Sequence, residues 1–345
     1  MKKIFLIIIA LILIGGVFMF WNTMNNSDKE KVTYSKEEGT TLVLSAPSLD
    51  DKYYKKVFQD IVDFQIAYAK KVIDSGIDDV RICVDNKTRK FYVNKGIDDI
   101  LLTANIDDIW MRDFTTVNPN NPVQFIYTHA SMSKADSKRV QKSFTDFADE
   151  VGFERRKSSL ILDGGNIVDN HAGMAITTTR FLEDNDLSYQ EGKEELAKTL
   201  DAKHVAIIEP DDEILAHSDG MTAFIDENTL LLYKYDDKEF DESILDELQK
   251  SLPGIKIITL PLKIPKNIEK WPGFESAFGI NLNLVYTKDC LYVPTFSLES
   301  DKEVLKLIEE NTDKKVVPID ATKVAKMGGS VRCLTWQVKG SFEQN

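Results

Sequence analysis

The sequence predicts one α/β domain built from repeated strand–helix units. Three observations predict it. Short β-type segments alternate with amphipathic helical ones along most of the chain. Hydrophobic residues make up 43% and aromatics 10% of the 345 residues, enough for a sizeable core. No Pro/Gly-rich linker divides the body of the chain.

Taken in order, Thr41–Leu44 reads as a short strand, Lys52–Ile73 as a helix and Val80–Val84 as a strand. Asp136–Val151 is an amphipathic helix, with Val140, Phe144, Phe147, Ala148 and Val151 on one face and Gly152 as its stop. Ser188 with Glu191, and Ser300 with Glu303, have capping-box spacing ahead of Leu196–Leu200 and Val304–Ile308. Further strands are expected at His204–Ile208, Thr229–Tyr233, Lys256–Leu260, Leu282–Tyr286 and Cys290–Val293. Paired short strands that recur with one helix suggest a ββα-type unit, although no clean sequence repeat is visible.

The N-terminus reads differently. Lys2 and Lys3 precede an uncharged run from Ile4 to Trp21. As a helix this run would be roughly 27 Å long, close to a bilayer core of about 30 Å. Lysines before it and Asp28 and Glu30 after it orient the body outward, with Trp21 at the interface. Residues 1–24 are therefore expected to be an uncleaved membrane anchor, with the domain outside the cell. A cleaved signal peptide and secretion is the alternative, against which no A-x-A-like site follows the run. Residues 25–40 are polar and expected as a linker, leaving 41–345 as the folded domain.

The formal net charge is −13. That balance excludes a nucleic-acid partner, which clustered Lys and Arg would hold. It suits a cationic substrate, and equally plain solubility. Three cysteines, Cys83, Cys290 and Cys333, leave at least one thiol unpaired and form no disulfide framework. No CxxC and no Cys/His cluster is present, so no metal site and no cofactor are expected. Cys83 and Cys290 sit in strand patterns and read as core.

Four segments set polar residues beside glycine or at strand ends: Trp110-Met-Arg-Asp113, Asp163-Gly-Gly-Asn166, His217-Ser-Asp-Gly220 and Gly328-Gly-Ser-Val-Arg-Cys333. Each has a plain structural reading of its own: a buried Arg–Asp pair, a turn, a satisfied surface histidine, a buried small thiol. Together they suit another chemistry. Gly328-Gly329 lets the backbone bend close to a neighbour, and the adjacent Arg332 would favour the Cys333 thiolate. On a strand, His217 and Asp219 would share one face. A thiol nucleophile, a histidine proton carrier and several carboxylates suit attack on a planar cation, which carboxylates grip through its N–H donors.

In this order and spacing, the four segments resemble the agmatine deiminase and Porphyromonas-type peptidylarginine deiminase family. That family reads like W-x-R-D, then [DE]-G-G-[NS], H-x-D and G-G-x-x-x-C-x-[TS]. The matches are Trp110-Arg112-Asp113, Asp163-Gly164-Gly165-Asn166, His217-Asp219 and Gly328-Gly329 through Cys333-Leu-Thr335. A weaker match runs from Asn283 through Pro294, and the whole resemblance spans roughly residues 41–340. It implies a five-bladed α/β propeller of ββαβ units around a central pocket, with no metal needed. It further implies Cys333 as nucleophile, His217 as general acid/base, and Asp113 and Asp219 as the guanidinium grip. Trp110, Arg112, Asp163, Asn166, Asn283 and Gly329 would line or support the substrate. The implied reaction is deimination of agmatine through an amidino-thioester, giving N-carbamoylputrescine and ammonia. Peptidyl-arginine is the alternative substrate; a non-catalytic binding protein and a cysteine protease are the remaining readings. The chain departs from the family pattern in carrying Thr115-Thr116 after the first motif, Arg332 where histidine is common, and no Trp in Phe125–Lys134.

Overall fold

A computed structural model describes residues 31–212, 215–263, 270 and 275–344. The expected anchor at 1–24 lies outside these residues. Among them, no helix is long and apolar enough to cross a membrane.

The described residues form a mixed α/β structure of five small sheets. Strand β1 (Val32–Ser45) leads to helix α1 (Phe58–Ser75) and returns as β2 (Asp79–Val84), parallel to β1. Strand β3 (Leu101–Thr103) extends that sheet. The turn-length helix α2 (Met111–Phe114) follows. Next come β4 (Val123–Ile126), helix α3 (Lys134–Glu150) and β5 (Arg156–Ile161), with β5 parallel to β4 and an antiparallel Val117–Val123 bridge before it. The third sheet holds β6 (Val168–Asp169), antiparallel to β7 (Met174–Thr178), which runs parallel to β8 (His204–Ile208); helices α4 (Arg180–Asn185) and α5 (Tyr189–Leu200) bridge the latter two. The pattern repeats in β9 (Thr222–Phe224), β10 (Thr229–Lys234), α6 (Lys238–Ser251) and β11 (Lys256–Pro261). It repeats again in β12 (Val285–Tyr286), β13 (Cys290–Thr295), α7 (Glu299–Glu309) and β14 (Lys315–Asp320). The final strand, β15 (Trp336–Gln344), then pairs antiparallel with β1 and supplies the first sheet with the leading strand the other units carry.

Local sequence explains these elements. Helix α1 buries Phe58, Ile61, Val62, Phe64, Tyr68, Ala69 and Val72 at three- and four-residue intervals and ends on Gly76 at φ +67°. Helix α3 begins two residues earlier than expected, at Lys134, because the Ser133 hydroxyl accepts the Asp136 N–H at 3.1 Å. The Ser188–Glu191 capping box forms as expected. The Ser300–Glu303 box does not. Helix α7 already begins at Glu299, and the Asp301 carboxylate accepts the N–H groups of Phe296 and Leu298 instead.

Three boundaries differ from expectation, the first being helix α1, which begins at Phe58, six residues after the expected Lys52. The polar stretch 25–40, expected as a linker, contributes to the first sheet from Val32. Val32 through Ser35 pair with Gln344 through Ser341, and a bulge separates them from Thr40. The apolar signal there is only two alternate residues, Val32 and Tyr34, the latter packed on Phe153 and Phe342. The expected strand at Leu282–Tyr286 shrinks to Val285–Tyr286. Asn281 ahead of it turns its side chain to the Pro294 carbonyl and Asp301, which suits a turn rather than a ladder.

Candidate active site

The four motifs and the Asn283 segment occupy equivalent places. Each lies just before the leading strand of one unit: Trp110–Asp113 before the Val117 bridge, Asp163–Asn166 before β6, His217–Gly220 before β9, Asn281–Asn283 before β12, and Gly328–Cys333 before β15. Repetition of the unit brings residues more than 200 positions apart in sequence into one buried cluster.

His217 is buried between two carboxylates. Its Nε2 lies 3.5 Å from Asp163 Oδ2, and its Nδ1 lies 4.0 Å from Asp113 Oδ1. Asp113 accepts the Gly165 N–H at 3.0 Å. Asp163 accepts the Thr128 N–H at 3.0 Å and stands 3.7 Å from the Arg180 guanidinium. Both glycines of Asp163-Gly-Gly-Asn166 are required by contact: a Cβ at Gly165 would sit 2.5 Å from the His217 ring, and one at Gly164 would strike the Arg112 carbonyl.

Cys333 is braced by Asn283. The Asn283 Nδ2 donates to Sγ at 3.1 Å, while its Oδ1 accepts the Cys333 N–H, the Arg332 N–H and the Ser330 hydroxyl at 3.3, 3.2 and 3.0 Å. Asp219 Oδ2 lies 3.9 Å from Sγ and accepts Arg332 Nη1 at 3.0 Å. The Trp110 ring lies against Gly329, where a Cβ would come within 2.5 Å of it.

Electrostatics follow from burial among like charges. Burial, with the negative charges of Asp219 and Asp113, pushes the Cys333 thiol well above its ordinary value; the Asn283 donor opposes this. Burial also raises Asp113 to about 7, against the lowering influence of His217. For His217 burial favours the neutral ring, but the bond to Asp163 and the charges of Asp113, Asp163 and Asp219 outweigh it and hold the imidazole up to about 9. Near neutral pH the resting cluster thus holds a protonated Cys333 thiol and an imidazolium His217, with Asp113 titrating in the same range.

The structure changes two expectations about side chains. His217-Ser-Asp219 lies on a 3-10 turn at Ser218–Gly220, not a strand, so His217 meets Asp113 and Asp163 while Asp219 meets Arg332 and the thiol. Arg332 does not face the Cys333 thiol; its second nitrogen donates to the Ile167 carbonyl at 2.6 Å. Arg112 and Asn166 were expected to line or support the substrate. Arg112 turns to a cavity of about 20 Å³ with Asp169, His171, Tyr286 and Arg332, where burial and the Arg332 charge lower it to about 10. Asn166 Oδ1 accepts the N–H groups of Thr178 and Ser218. Arg180 and Ser330 were not singled out from sequence. Ser330 lies inside the last motif, whereas Arg180 follows an ordinary threonine-rich strand end with nothing to mark it. Cys83 and Cys290 are buried and free, as core residues should be.

Fold and cluster together define an α/β protein whose repeated units converge on a buried Cys–His–carboxylate centre. Residues 34–338 match the Porphyromonas-type peptidyl-arginine deiminase family, and the chain belongs to it. A relative from Shewanella sp. (strain MR-4), provisionally named an agmatine deiminase, is 26% identical over 217 residues, or 54% of this chain and 59% of that protein. The match therefore spans about three fifths of that relative's length. Among solved structures, the C. jejuni agmatine deiminase superposes with TM-score 0.73 at 20% identity, covering 89% of this chain and 96% of that one. The agmatine deiminase of Enterococcus faecalis gives TM-score 0.69 at 16% identity, over 88% and 94%. These likenesses establish the fold.

Proposed function

We propose that this protein hydrolyses a guanidino group and releases ammonia, with Cys333 as nucleophile. The observation that carries the proposal is the meeting of the Cys333 thiol with Asp219 and Asn283 on one side and the His217–Asp113–Asp163 group on the other. Asp113 and Asp219 would hold the guanidinium by its N–H donors. Its positive charge would offset the carboxylates and ease loss of the thiol proton to water, the one proton that the overall reaction releases with the ammonia. Sγ would bond to the central carbon, and imidazolium His217 would give its proton to the departing nitrogen, which leaves as ammonia. That leaves an amidino-thioester on Cys333. Neutral His217 would then take a proton from water, whose oxygen attacks the same carbon. Breaking the C–S bond restores the thiol and frees a ureido product.

Agmatine is the first substrate to supply. It is a small cation suited to a centre that carries Asp113, Asp163 and Asp219, and agmatine deiminases are prominent among the structural neighbours. Peptidyl-arginine is the second, favoured by the family's own name and by the apolar run Ile4–Trp21. Under the same proposal that run anchors the domain on the outer face of a membrane; protease access to the domain in intact cells would test it, and protection would refute it. The proposal also has the five sheets closing into a five-bladed propeller. The recurring unit and the pairing of β15 with β1 support this.

The deciding measurement is ammonia release by the purified chain from agmatine, free arginine and an arginine-containing peptide, with Cys333→Ala alongside. Release that requires Cys333 is expected, from agmatine first. Release that persists in Cys333→Ala, or none from any of the three, would overturn the proposal.

A further inference from the structure

Arg332 adjoins the nucleophilic thiol in sequence yet spends its guanidinium elsewhere. Nη1 donates to Asp219 Oδ2 at 3.0 Å and Nη2 to the Ile167 carbonyl at 2.6 Å. Its main-chain N–H is held by both oxygens of Asn283, the residue that also donates to Sγ. Arg332 is 9% and Asp219 2% exposed, so the pair is shielded from water.

A buried carboxylate needs a cation and a fixed orientation. The planar fork of Arg332 supplies both: one arm takes the carboxylate, and the other, on a main-chain carbonyl, stops the guanidinium from rotating. The oxygen it takes is Oδ2, 3.9 Å from Sγ. Among the described residues, Asp219 Oδ1 accepts no hydrogen bond. The other charged groups acting here are Arg112 behind the pair, and Asp113 and His217 in front. None of these is hydrogen-bonded to Asp219.

We propose that Arg332 is a positioning residue: by pinning Asp219 through Oδ2 it leaves Oδ1 to take an N–H of a cationic substrate at Cys333. The proposal rests on the guanidino-binding reading of the site, deepens it by one residue, and needs no turnover to be tested.

The test alkylates the full chain with cationic 2-chloroacetamidine and neutral iodoacetamide in parallel, and takes the ratio of the two Cys333 labelling rates. Asp219→Asn should lower the ratio by about tenfold or more, the scale of one lost charge-assisted contact. Arg332→Gln should lower it comparably, and Arg332→Lys, which keeps the charge but not the fork, by only about threefold. The double variant Arg332→Gln/Asp219→Asn should be no lower than Asp219→Asn alone, since the arginine acts through that carboxylate. A general structural role would instead lower the double variant further, and that result overturns the proposal. An unchanged ratio in Arg332→Gln, with Asp219→Asn affected, also overturns it while leaving the reading of the site intact. An unchanged ratio in Asp219→Asn removes the cation grip itself. Should Arg332→Gln fail to fold, Arg332→Lys decides: wild-type labelling of both reagents overturns the role of the fork.

Discussion

Replacing Asn283 by leucine should destabilise the protein by an amount that the hydrogen bonds around Cys333 allow to be worked out. Leucine keeps the approximate volume and removes every polar atom. The Arg332 N–H retains the main-chain oxygen of residue 283 at 3.1 Å, so it is not orphaned. The Ser330 hydroxyl and the Cys333 N–H lose the Oδ1 acceptor they share, at 3.0 and 3.3 Å. Ser330 is fully buried, and each unsatisfied buried group costs about 1–3 kcal/mol, so the variant should lose about 2–6 kcal/mol. With a urea dependence of about 3 kcal/mol per molar for a chain this long, the unfolding midpoint should fall by about 1–2 M. The same variant removes the donor to Sγ at 3.1 Å, so iodoacetamide labelling of Cys333 should shift to higher pH. A midpoint within about 0.3 M of wild type would show that these groups find other partners and that Asn283 is not the brace the distances imply.

Further outcomes can be checked alongside. Gly329→Ala should cost about 1–3 kcal/mol by urea titration, because its Cβ would meet the Trp110 ring at 2.5 Å and Cys333 Cβ at 3.0 Å; an unchanged midpoint means the ring yields freely. Cys333→Ser should cut ammonia release by about a thousandfold or more, and should abolish native thiol labelling, since Cys83 and Cys290 are buried; residual turnover near wild type would refute the nucleophile. Asp113 titrates at about 7 when folded against an ordinary 3.8, so the folded state holds its proton more tightly and stability falls as pH rises from about 4 to about 7. His217, held up to about 9, adds stability below about 6.5 that is lost as pH rises through about 9. Asp113→Asn should therefore flatten the decline between about pH 5 and 7 by about 1–2 kcal/mol relative to wild type; an identical slope in both proteins would refute the assignment.

Much of the site was legible because it sits in short motifs where glycine is forced by contact. Gly164, Gly165 and Gly329 each adjoin a side chain or carbonyl that leaves no room for a Cβ, and such glycines stand out in a sequence. What was not legible is which way neighbouring side chains turn. Arg112 and Asp113 are adjacent, yet one faces a rear cavity and the other His217. Arg332 was expected to serve the thiol, but the available acceptors, Asp219 and the Ile167 carbonyl, come from distant parts of the chain. The repeated unit was suggested by alternating patterns, but its completion by the last strand was not, since pairing between residues about 300 positions apart leaves no local trace. The start of β1 was missed for the same reason: Val32 and Tyr34 acquire their burial from Gln344, Phe342 and Phe153.

The pairing of β15 with β1 also sets an order of events. Strand β1 lies among the earliest described residues to leave the ribosome, and its partner consists of nearly the last. Throughout synthesis one flank of β1 has a hydrogen-bonding edge with no strand to meet it, and buried partners such as Trp336 and Phe342 do not yet exist. The first sheet is therefore completed only once Trp336–Gln344 have been made. A stall or premature stop within Trp336–Gln344 would leave that edge of β1 open, ready to pair with its own kind.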